Sequence, residues 1–394
     1  MHLDTITATY SLVTPMFLGG GEEGQHATGM RPPSFKGALR FWWRAIHWGG
    51  FLAGASTEAE ALKKMHRAEA ALFGAAASAD NKEDGQSRAL LTARVEWPET
   101  QTDFDFGPSG IRYLAGQGLP EHRERGTVIP ARKPMTSTNG QNRLVVEVTF
   151  RPKTSPSQQR EVQRALLALG LFGGLGARCR RGLGSLAIES MEPCDFLIPQ
   201  AISDLKNAIS ECLEPQNFPG SLPPFTAFSE KSRCDLWQGE NPQSALDLLD
   251  QVGDKLCEYR HDARFAADSS SMYKVTQGIE PPAVPQRTVF GIPHNYFFPN
   301  PSPPPAGDSV HLGGSKPKDR DRRSSPLLIH IHRFPDGSCA AIQTLLPAMF
   351  FAPGEDVEIK HAARGGRRLQ LLPTIDYQTI HDYLDQFSPK ETLL

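Results

Sequence analysis

The sequence predicts an α+β fold that begins with a ferredoxin-like unit, and three observations support this prediction. Residues 3 to 13 alternate between apolar and polar side chains, which is typical of a half-buried strand. Residues 34 to 48 place apolar side chains at helical spacing. Three further strand-like segments and a second helical segment give the order strand, helix, strand, strand, helix, strand. This is the split βαβ order, which RNA-recognition modules share.

Local signals define the elements of this unit. Ser34, which follows two prolines, is expected to cap the first helix. Further strands are predicted at 87–97, 143–150 and 183–191, and the second helix at 156–171. The segment from 98 to 140 is rich in Gly, Pro and polar residues, so we expect a long insertion with short structured pieces.

The second half of the chain predicts another α+β unit. Helices are expected at 203–213 and 243–260. Residues 326–334 and 338–346 are expected to form a hairpin, with a Pro-Asp-Gly turn between them. We therefore divide the chain into two domains, residues 1–195 and 196–394.

Composition limits the class of protein. The chain has 394 residues, a formal net charge of −2 and six cysteines without a C-x-x-C pair, which indicates neither a zinc knuckle nor a disulfide framework. Neither a signal peptide nor a membrane span is recognisable, so we expect a soluble cytoplasmic protein. The charge is distributed unevenly along the chain, because residues 31–44 and 360–368 contain basic residues and no acidic residue. One basic face could bind nucleic acid while other faces bind protein.

The most informative segment is residues 170–185, GLFGGLGARCRRGLGS, in which six glycines surround three arginines. Glycine permits close backbone approach and arginine recognises phosphate, so the segment predicts a loop for a nucleic-acid backbone. It lacks the lysine of a P-loop and the spacing of a dinucleotide-binding turn, and we therefore expect no cofactor. The alternative is a tight helix-to-strand connection whose arginines are incidental.

The first helix carries a second basic group, since Lys36, Arg40 and Arg44 are spaced four apart and Arg31 precedes them. These side chains could contact phosphates, or they could form an ordinary solvated helix face. Trp42 is expected in the core. For Trp43 we favour the core or a protein interface over stacking on a base.

Histidines are weak candidates for chemistry. His330 and His332 lie two apart on a predicted strand, and we expect an exposed pair rather than a metal site because nothing nearby completes the ligand set. Cleavage of RNA without a metal needs a general base. In the first half only His26 and His47 have a suitable position.

Four segments together resemble the RAMP superfamily of CRISPR-associated proteins, and within it the first-subunit family of the type III-B Cmr effector complex. They are PMFLGG, RPPSFKGALRFWWRAI, GGLGARCRRGLGSL and RRSSPLLIHIHR. The resemblance implies one or two ferredoxin-like domains and a glycine-rich loop on the RNA-binding face. It also implies assembly on guide RNA near its 3′ end, with cleavage of target RNA assigned to other subunits.

Three hypotheses follow. The first is a non-catalytic subunit that binds guide and target RNA beside other Cmr subunits, without a membrane, cofactor or metal. Its expected RNA-binding residues are Arg31, Lys36, Arg40, Arg44, Arg178, Arg180, Arg181, Gly173, Gly174, Gly176 and Gly182. The second is a RAMP endoribonuclease that uses His26 or His47. The third is a protein-bridging subunit with little affinity for RNA.

Overall fold

The fold combines antiparallel sheets with helices in a computed structural model of the chain. The structure describes residues 4–19, 30–75, 89–95, 104, 106–116, 119–122, 128–130, 133–136, 143–214, 217–298, 308–314, 322–351, 355, 357–361, 369–371 and 375–394.

The first half contains the predicted order of elements together with additions. Its elements are β1 (Thr5–Leu12), α1 (Pro32–Ala53), α2 (Glu58–Phe73), β2 (Ala89–Val95), α3 (Ser109–Ala115), β3 (Pro120–His122), β4 (Val128–Pro130), β5 (Arg143–Phe150), α4 (Pro156–Phe172) and β6 (Leu186–Glu192). Four of these strands form the N-terminal sheet, in the order β2-β5-β1-β6 with antiparallel neighbours. The predicted insertion contains α3 and the small β3-β4 pair.

In this half one local prediction was wrong and one helix was missed. Helix α1 begins at Pro32 with Arg31 at the N-cap, not at Ser34, because prolines are accommodated in the first helical turn, where an N–H has no partner to lose. Helix α2 was not predicted. The sequence contains a signal for its start, because threonine is a favoured N-cap residue. In the structure the side chain of Thr57 accepts a hydrogen bond from the Glu60 amide at the start of α2.

The second half contains two sheets. Its elements are α5 (Leu205–Leu213), β7 (Arg233–Trp237), α6 (Ala245–His261), α7 (Ala266–Thr276), β8 (His294–Phe298), β9 (Asp308–Gly314), β10 (Leu327–Arg333), β11 (Cys339–Leu345), β12 (Val357–His361), β13 (Leu369–Leu371), α8 (Gln378–Leu384) and β14 (Glu391–Thr392). The C-terminal sheet has the order β10-β11-β7-β14, and an accessory sheet has the order β13-β12-β9-β8. The predicted hairpin is confirmed as β10-β11.

The N-terminal and C-terminal sheets share one topology. When the four strands of each sheet are counted along the chain, their order across the sheet is second, third, first, fourth in both. The accessory sheet comes from two insertions in the second half, because β8 and β9 precede β10 whereas β12 and β13 separate β11 from α8.

The C-terminal sheet is covered on both faces. Leu328 and Ile342 pack into the core that contains α4 of the first half. The alternate residues Ile329 and Ile331 face the opposite way and pack into the core that contains α6 and α8. All residues of β10 but the last are therefore buried, His330 and His332 included, as expected for a strand covered on both faces.

Helices α3 and α6 cross at two glycines. A Cβ atom on Gly253 would lie 2.3 Å from the Gly110 carbonyl oxygen, and one on Gly110 would lie 2.0 Å from the Asp250 carbonyl oxygen. This contact attaches the insertion of the first half to the principal helix of the second half.

We predict that Gly253→Ala lowers the free energy of unfolding by about 1–3 kcal/mol, since the added methyl group collides with backbone that can yield only if the helices separate. Gly50→Ala is the matched control. It lies inside α1 with open space at its Cβ position, and we expect it to stabilise the chain by about 0.5–1 kcal/mol. Denaturant unfolding measures both changes, and equal effects of the two variants would contradict the prediction.

Candidate nucleic-acid interface

The glycine-rich loop, residues 173–185, is an ordered turn built on backbone hydrogen bonds. The Leu175 amide donates to the Gly184 carbonyl at 2.9 Å, and the Ala177 amide donates to the Phe17 carbonyl at 2.8 Å. A Cβ atom on Gly184 would lie 2.0 Å from the Leu175 carbonyl oxygen. Glycine at this position therefore serves the close approach of the two sides of the loop.

The loop also covers the free edge of β10. The Ile329 amide donates to the Arg180 carbonyl at 3.0 Å, and the Ile331 amide donates to the Ser185 hydroxyl at 3.1 Å. Ser185 in turn donates to the Gly182 carbonyl at 2.9 Å. The loop is thus a joint between the two halves of the chain. The sequence did not predict this role, because no local pattern in the loop or in β10 specifies their pairing.

The three arginines of the loop have different surroundings. Arg178 is exposed, and its Nε donates to the Ala115 carbonyl at 2.8 Å. Arg180 is half-buried; its Nη1 donates to the Ser325 carbonyl at 2.9 Å and its guanidinium lies 5.0 Å from the centre of the Phe41 ring. Arg181 is half-buried and donates to the Leu114 carbonyl at 3.3 Å. The Arg180 side chain therefore links the two halves, whereas the Arg181 side chain links the loop to α3 within the first half.

The glycines predicted as RNA contacts also differ. Gly173, Gly174 and Gly182 are buried. Each has another atom within 2.6 Å of the place that a Cβ would occupy, so their absent side chains serve packing. Gly176 is half-buried and lines a cavity.

That cavity has a volume of about 230 Å³ and lies between the glycine-rich loop, the segment after β1 and the start of α1. Its lining residues are Phe17, Leu18, Gly19, Met30, Arg31, Ser34, Leu175, Gly176 and Ala177. The first turn of α1 contains no acidic residue, so the positive end of the helix dipole is not offset there by a side chain. Arg31 is exposed at the same end of the helix.

The basic stripe of α1 divides into two parts. Arg40 and Arg44 both pair with the buried carboxylate of Glu69 on α2, at 2.5 and 2.6 Å. Lys36 lies one turn closer to the cavity, and burial together with the charge of Arg40 lowers the pKa of its ammonium group. Glu69 was not singled out in the sequence because α2 itself was not predicted.

Trp42 and Trp43 are both in the core, as predicted for Trp42 and favoured for Trp43. Their exposed fractions are 2% and 1%, and the Trp43 indole donates to Glu161 of α4 at 3.0 Å. Adjacent residues can both be buried because α1 packs against α2 as well as α4.

The His47 side chain packs against Trp43 and is not positioned to contact a substrate. Its ring lies 4.9 Å from the Trp43 ring in a stacked arrangement, and its Nδ1 is 2.7 Å from the Trp43 carbonyl oxygen. Burial lowers the pKa of the His47 imidazole. His26, the other histidine considered for catalysis, lies outside the described residues.

The expectation of an exposed His330–His332 pair was wrong. Both side chains are buried, because β10 is covered on both faces. Nδ1 of His330 lies 2.7 Å from the Gly173 carbonyl oxygen, and its Nε2 lies 3.3 Å from Nδ1 of His332. Within the described ranges no cluster of His, Cys, Asp or Glu is arranged to bind a metal ion.

The remaining basic segments are only partly described. Arg322 is exposed, and Arg323 pairs with Glu355 at 2.5 Å. Of the basic residues in 360–368, Lys360 is described and pairs with Glu358 at 2.7 Å. Among the described helices, none has the length and apolar character needed to span a bilayer.

Comparison with known sequence families finds a match in the first half. Residues 9–187 match the sequence model of the RAMP superfamily. The resemblance predicted from the four sequence segments is thereby confirmed over these residues. None of the curated proteins matches the chain.

Two solved structures are similar over nearly the whole length. The chain is 17% identical to Cmr1 from Pyrococcus furiosus in its apo form, with a TM-score of 0.52 and coverage of 99% of this chain and 98% of that one. It is 12% identical to a chain in the cryo-EM structure of the type III-B Cmr-beta complex bound to cognate target RNA and AMPPnP in the presence of ssDNA. There the TM-score is 0.50, and coverage is 98% of this chain and 99% of that one. These likenesses concern the fold.

We predict that Glu69→Gln lowers the free energy of unfolding by about 1–3 kcal/mol, because two partly buried guanidinium groups lose their common carboxylate. Glu60→Gln removes the exposed carboxylate that pairs with Lys64 on the same helix. We expect this control to cost less than Glu69→Gln, because an exposed ion pair contributes little to stability. Calorimetric unfolding measures both. A Glu69→Gln protein as stable as the control would contradict the assigned role.

We predict that acid destabilises the joint through its buried histidines. Burial lowers the pKa of His330 to about 4 and that of His332 to about 3, whereas both titrate near about 6.5 in the unfolded chain. The unfolded state therefore binds more protons between these values, and the free energy of unfolding falls as the pH drops from about 6.5 towards 4.

Denaturant unfolding over this pH range tests the prediction. His332→Gln removes one titrating group from the joint and should flatten the dependence. His66→Gln changes an exposed histidine of α2 and should leave the dependence unchanged. The same pH slope in the wild type and in His332→Gln would disprove the assignment.

Proposed function

We propose that the chain is a non-catalytic RNA-binding subunit of a type III-B CRISPR effector of the Cmr class, and that it binds guide RNA and target RNA in antiviral defence. The observation that carries the proposal is the cavity beside the glycine-rich loop, where Arg31 and an unneutralised helix start lie together. The superfamily match over residues 9–187 and the fold likeness to Cmr1 support it. A chain of similar fold also occurs in a Cmr-beta complex described as bound to cognate target RNA.

The domain organisation that accompanies this proposal is two ferredoxin-like domains, residues 1–195 and 196–394. The identical strand order of the N-terminal and C-terminal sheets supports the division. The accessory sheet is then an insertion into the second domain.

The RNA path that we favour runs along the cavity and avoids the sheet faces. The C-terminal sheet is covered by helices on both faces. On the N-terminal sheet, the side opposite the helices carries Thr5, Thr7 and Thr9 in β1, and threonine offers no ring on which a base could stack. Binding at the loop is then dominated by phosphate contacts and is largely independent of sequence.

Arg31, Lys36 and Arg178 are the contacts that we rank first. Arg31 and Lys36 lie at the start of α1, and Arg178 follows Ala177 of the cavity wall. Gly176 shapes that wall. The other predicted residues remain proposed RNA contacts, but they also have a structural role, since their side chains or backbone stabilise the fold. These are Arg40, Arg44, Arg180, Arg181, Gly173, Gly174 and Gly182.

The endoribonuclease hypothesis is the less favoured of the alternatives, because His47 is stacked on Trp43 and bonded to its own helix. A general base must reach the 2′-hydroxyl that it deprotonates. The protein-bridging hypothesis is distinguished from RNA binding by the affinity of the isolated chain for RNA.

We predict that Arg31→Gln, Lys36→Gln and Arg178→Gln together weaken the binding of single-stranded RNA to a similar extent for unrelated sequences. Removing one phosphate contact should reduce the slope of log K against log salt by about 0.7, so the triple variant should reduce it by about 2. Filter binding over a salt series measures the slope, and a denaturing gel of the same samples reports cleavage.

The matched control is Arg151→Gln, Lys153→Gln and Arg160→Gln. It removes the same charge from exposed residues on and before the first part of α4, and the glycine-rich loop follows the other end of this helix. The control should retain the wild-type slope. Equal reductions in both triple variants would attribute binding to net charge alone, and cleaved RNA would favour the nuclease.

A further inference from the structure

A second, smaller cavity lies in the joint between the two halves, and three arginines line it. Arg180 and Arg181 come from the glycine-rich loop, and Arg260 comes from the end of α6. Tyr113 of α3 and Ser325 before β10 provide polar atoms. The cavity has a volume of about 20 Å³, which is enough for a group the size of one water molecule.

Arg260 is fixed in place by aromatic rings and not by an acid. Its guanidinium lies 5.8 Å from the centre of the Tyr113 ring and 5.3 Å from that of Phe290. Its Nη2 is 3.3 Å from Nε2 of His294. Its Nε is buried and has no hydrogen-bond partner within the described part of the chain. A buried donor without a partner costs free energy unless a ligand satisfies it.

The charge around this cavity is unbalanced. No carboxylate lines it among the described residues, and the nearby Asp268 pairs with Arg287 at 3.5 Å. Burial and the charges of Arg260 and Arg178 lower the pKa of Arg181 to about 10. Burial and the neighbouring arginines lower the pKa of His294 to about 3. Burial contributes most to both shifts, and the neighbouring positive charges act in the same direction.

We propose that this cavity is an anion site that binds one phosphate group through Arg180, Arg181 and Arg260. Guanidinium forks match the geometry of phosphate oxygens, and such charge-assisted hydrogen bonds are strong. The volume admits one oxygen, so the rest of the group would extend out of the cavity; all three lining arginines are half-buried. A nucleobase does not fit inside.

The phosphate can belong to an RNA backbone or to a free anion, and the site goes beyond the proposed function because it requires no RNA. Arg260 is its new component. It lies in the second half of the chain, and the anion would therefore connect the glycine-rich loop to α6 across the joint.

Calorimetric titration of the full chain with inorganic phosphate, at constant ionic strength set by chloride, tests the site. We expect saturable binding to the wild type and at least about tenfold weaker binding to Arg260→Gln, because this variant cannot form one of the charge-assisted hydrogen bonds. The matched control is Arg160→Gln, which removes an exposed arginine that lies 5.0 Å from the Phe196 ring, away from the cavity. It should bind phosphate as the wild type does.

Arg260→Lys keeps the charge and guards against misfolding of the first variant. Its affinity should lie between those of the wild type and Arg260→Gln. Absence of saturable binding to the wild type, or equally weakened binding in Arg260→Gln and Arg160→Gln, would overturn the site. If RNA still binds, both of these results contradict only the anion site and leave the RNA-binding proposal intact. Phosphate binding without RNA binding would support the anion site and contradict the RNA-binding proposal.

Competition identifies the source of the anion. If inorganic phosphate displaces bound RNA from the wild type but not from Arg260→Gln, a backbone phosphate occupies the cavity. If saturable phosphate binding leaves RNA bound, the site takes a free anion. Each result supports the anion site and assigns its ligand.

Discussion

The edge of β10 is the constraint on which the rest of the structure depends. A strand at the edge of a sheet has N–H groups that must find partners when they are buried. Here the Arg180 carbonyl and the Ser185 hydroxyl provide them. The glycine-rich loop therefore has to lie flat against β10, and this position determines where its arginines and both cavities are found.

The loop and the first helix divide their cations between structure and surface. A charge that is partly buried needs a partner, so Arg40 and Arg44 share Glu69 while Arg180 and Arg181 donate to carbonyl groups. Arg31 and Arg178 stay exposed. The surface is therefore less basic than the sequence suggests, because several of the arginines are partly buried and contact groups of the protein itself.

The sequence was sufficient for the four strands and two helices of the predicted ferredoxin-like unit and for the β10-β11 hairpin, since periodicity and turn residues are local signals. It was insufficient wherever the burial or pairing of a side chain depends on a residue distant in the chain. His330 and His332 looked exposed because alternation along β10 says nothing about α4, which covers that face. The pairing of Arg44 with Glu69 and the position of Arg260 also depend on contacts between separate elements. The glycines of the loop were recognised, but their packing role was visible only in three dimensions.

The dependence of β10 on the glycine-rich loop bears on the order of folding. Chains fold from the N-terminus during synthesis, and β6 closes the N-terminal sheet before β10 is made. The loop then offers β10 hydrogen-bond partners on the side opposite β11. An apolar strand with an open edge is the kind of segment that aggregates. The first half of the chain thus contains, before β10 is made, the hydrogen-bond partners that the open edge of β10 requires.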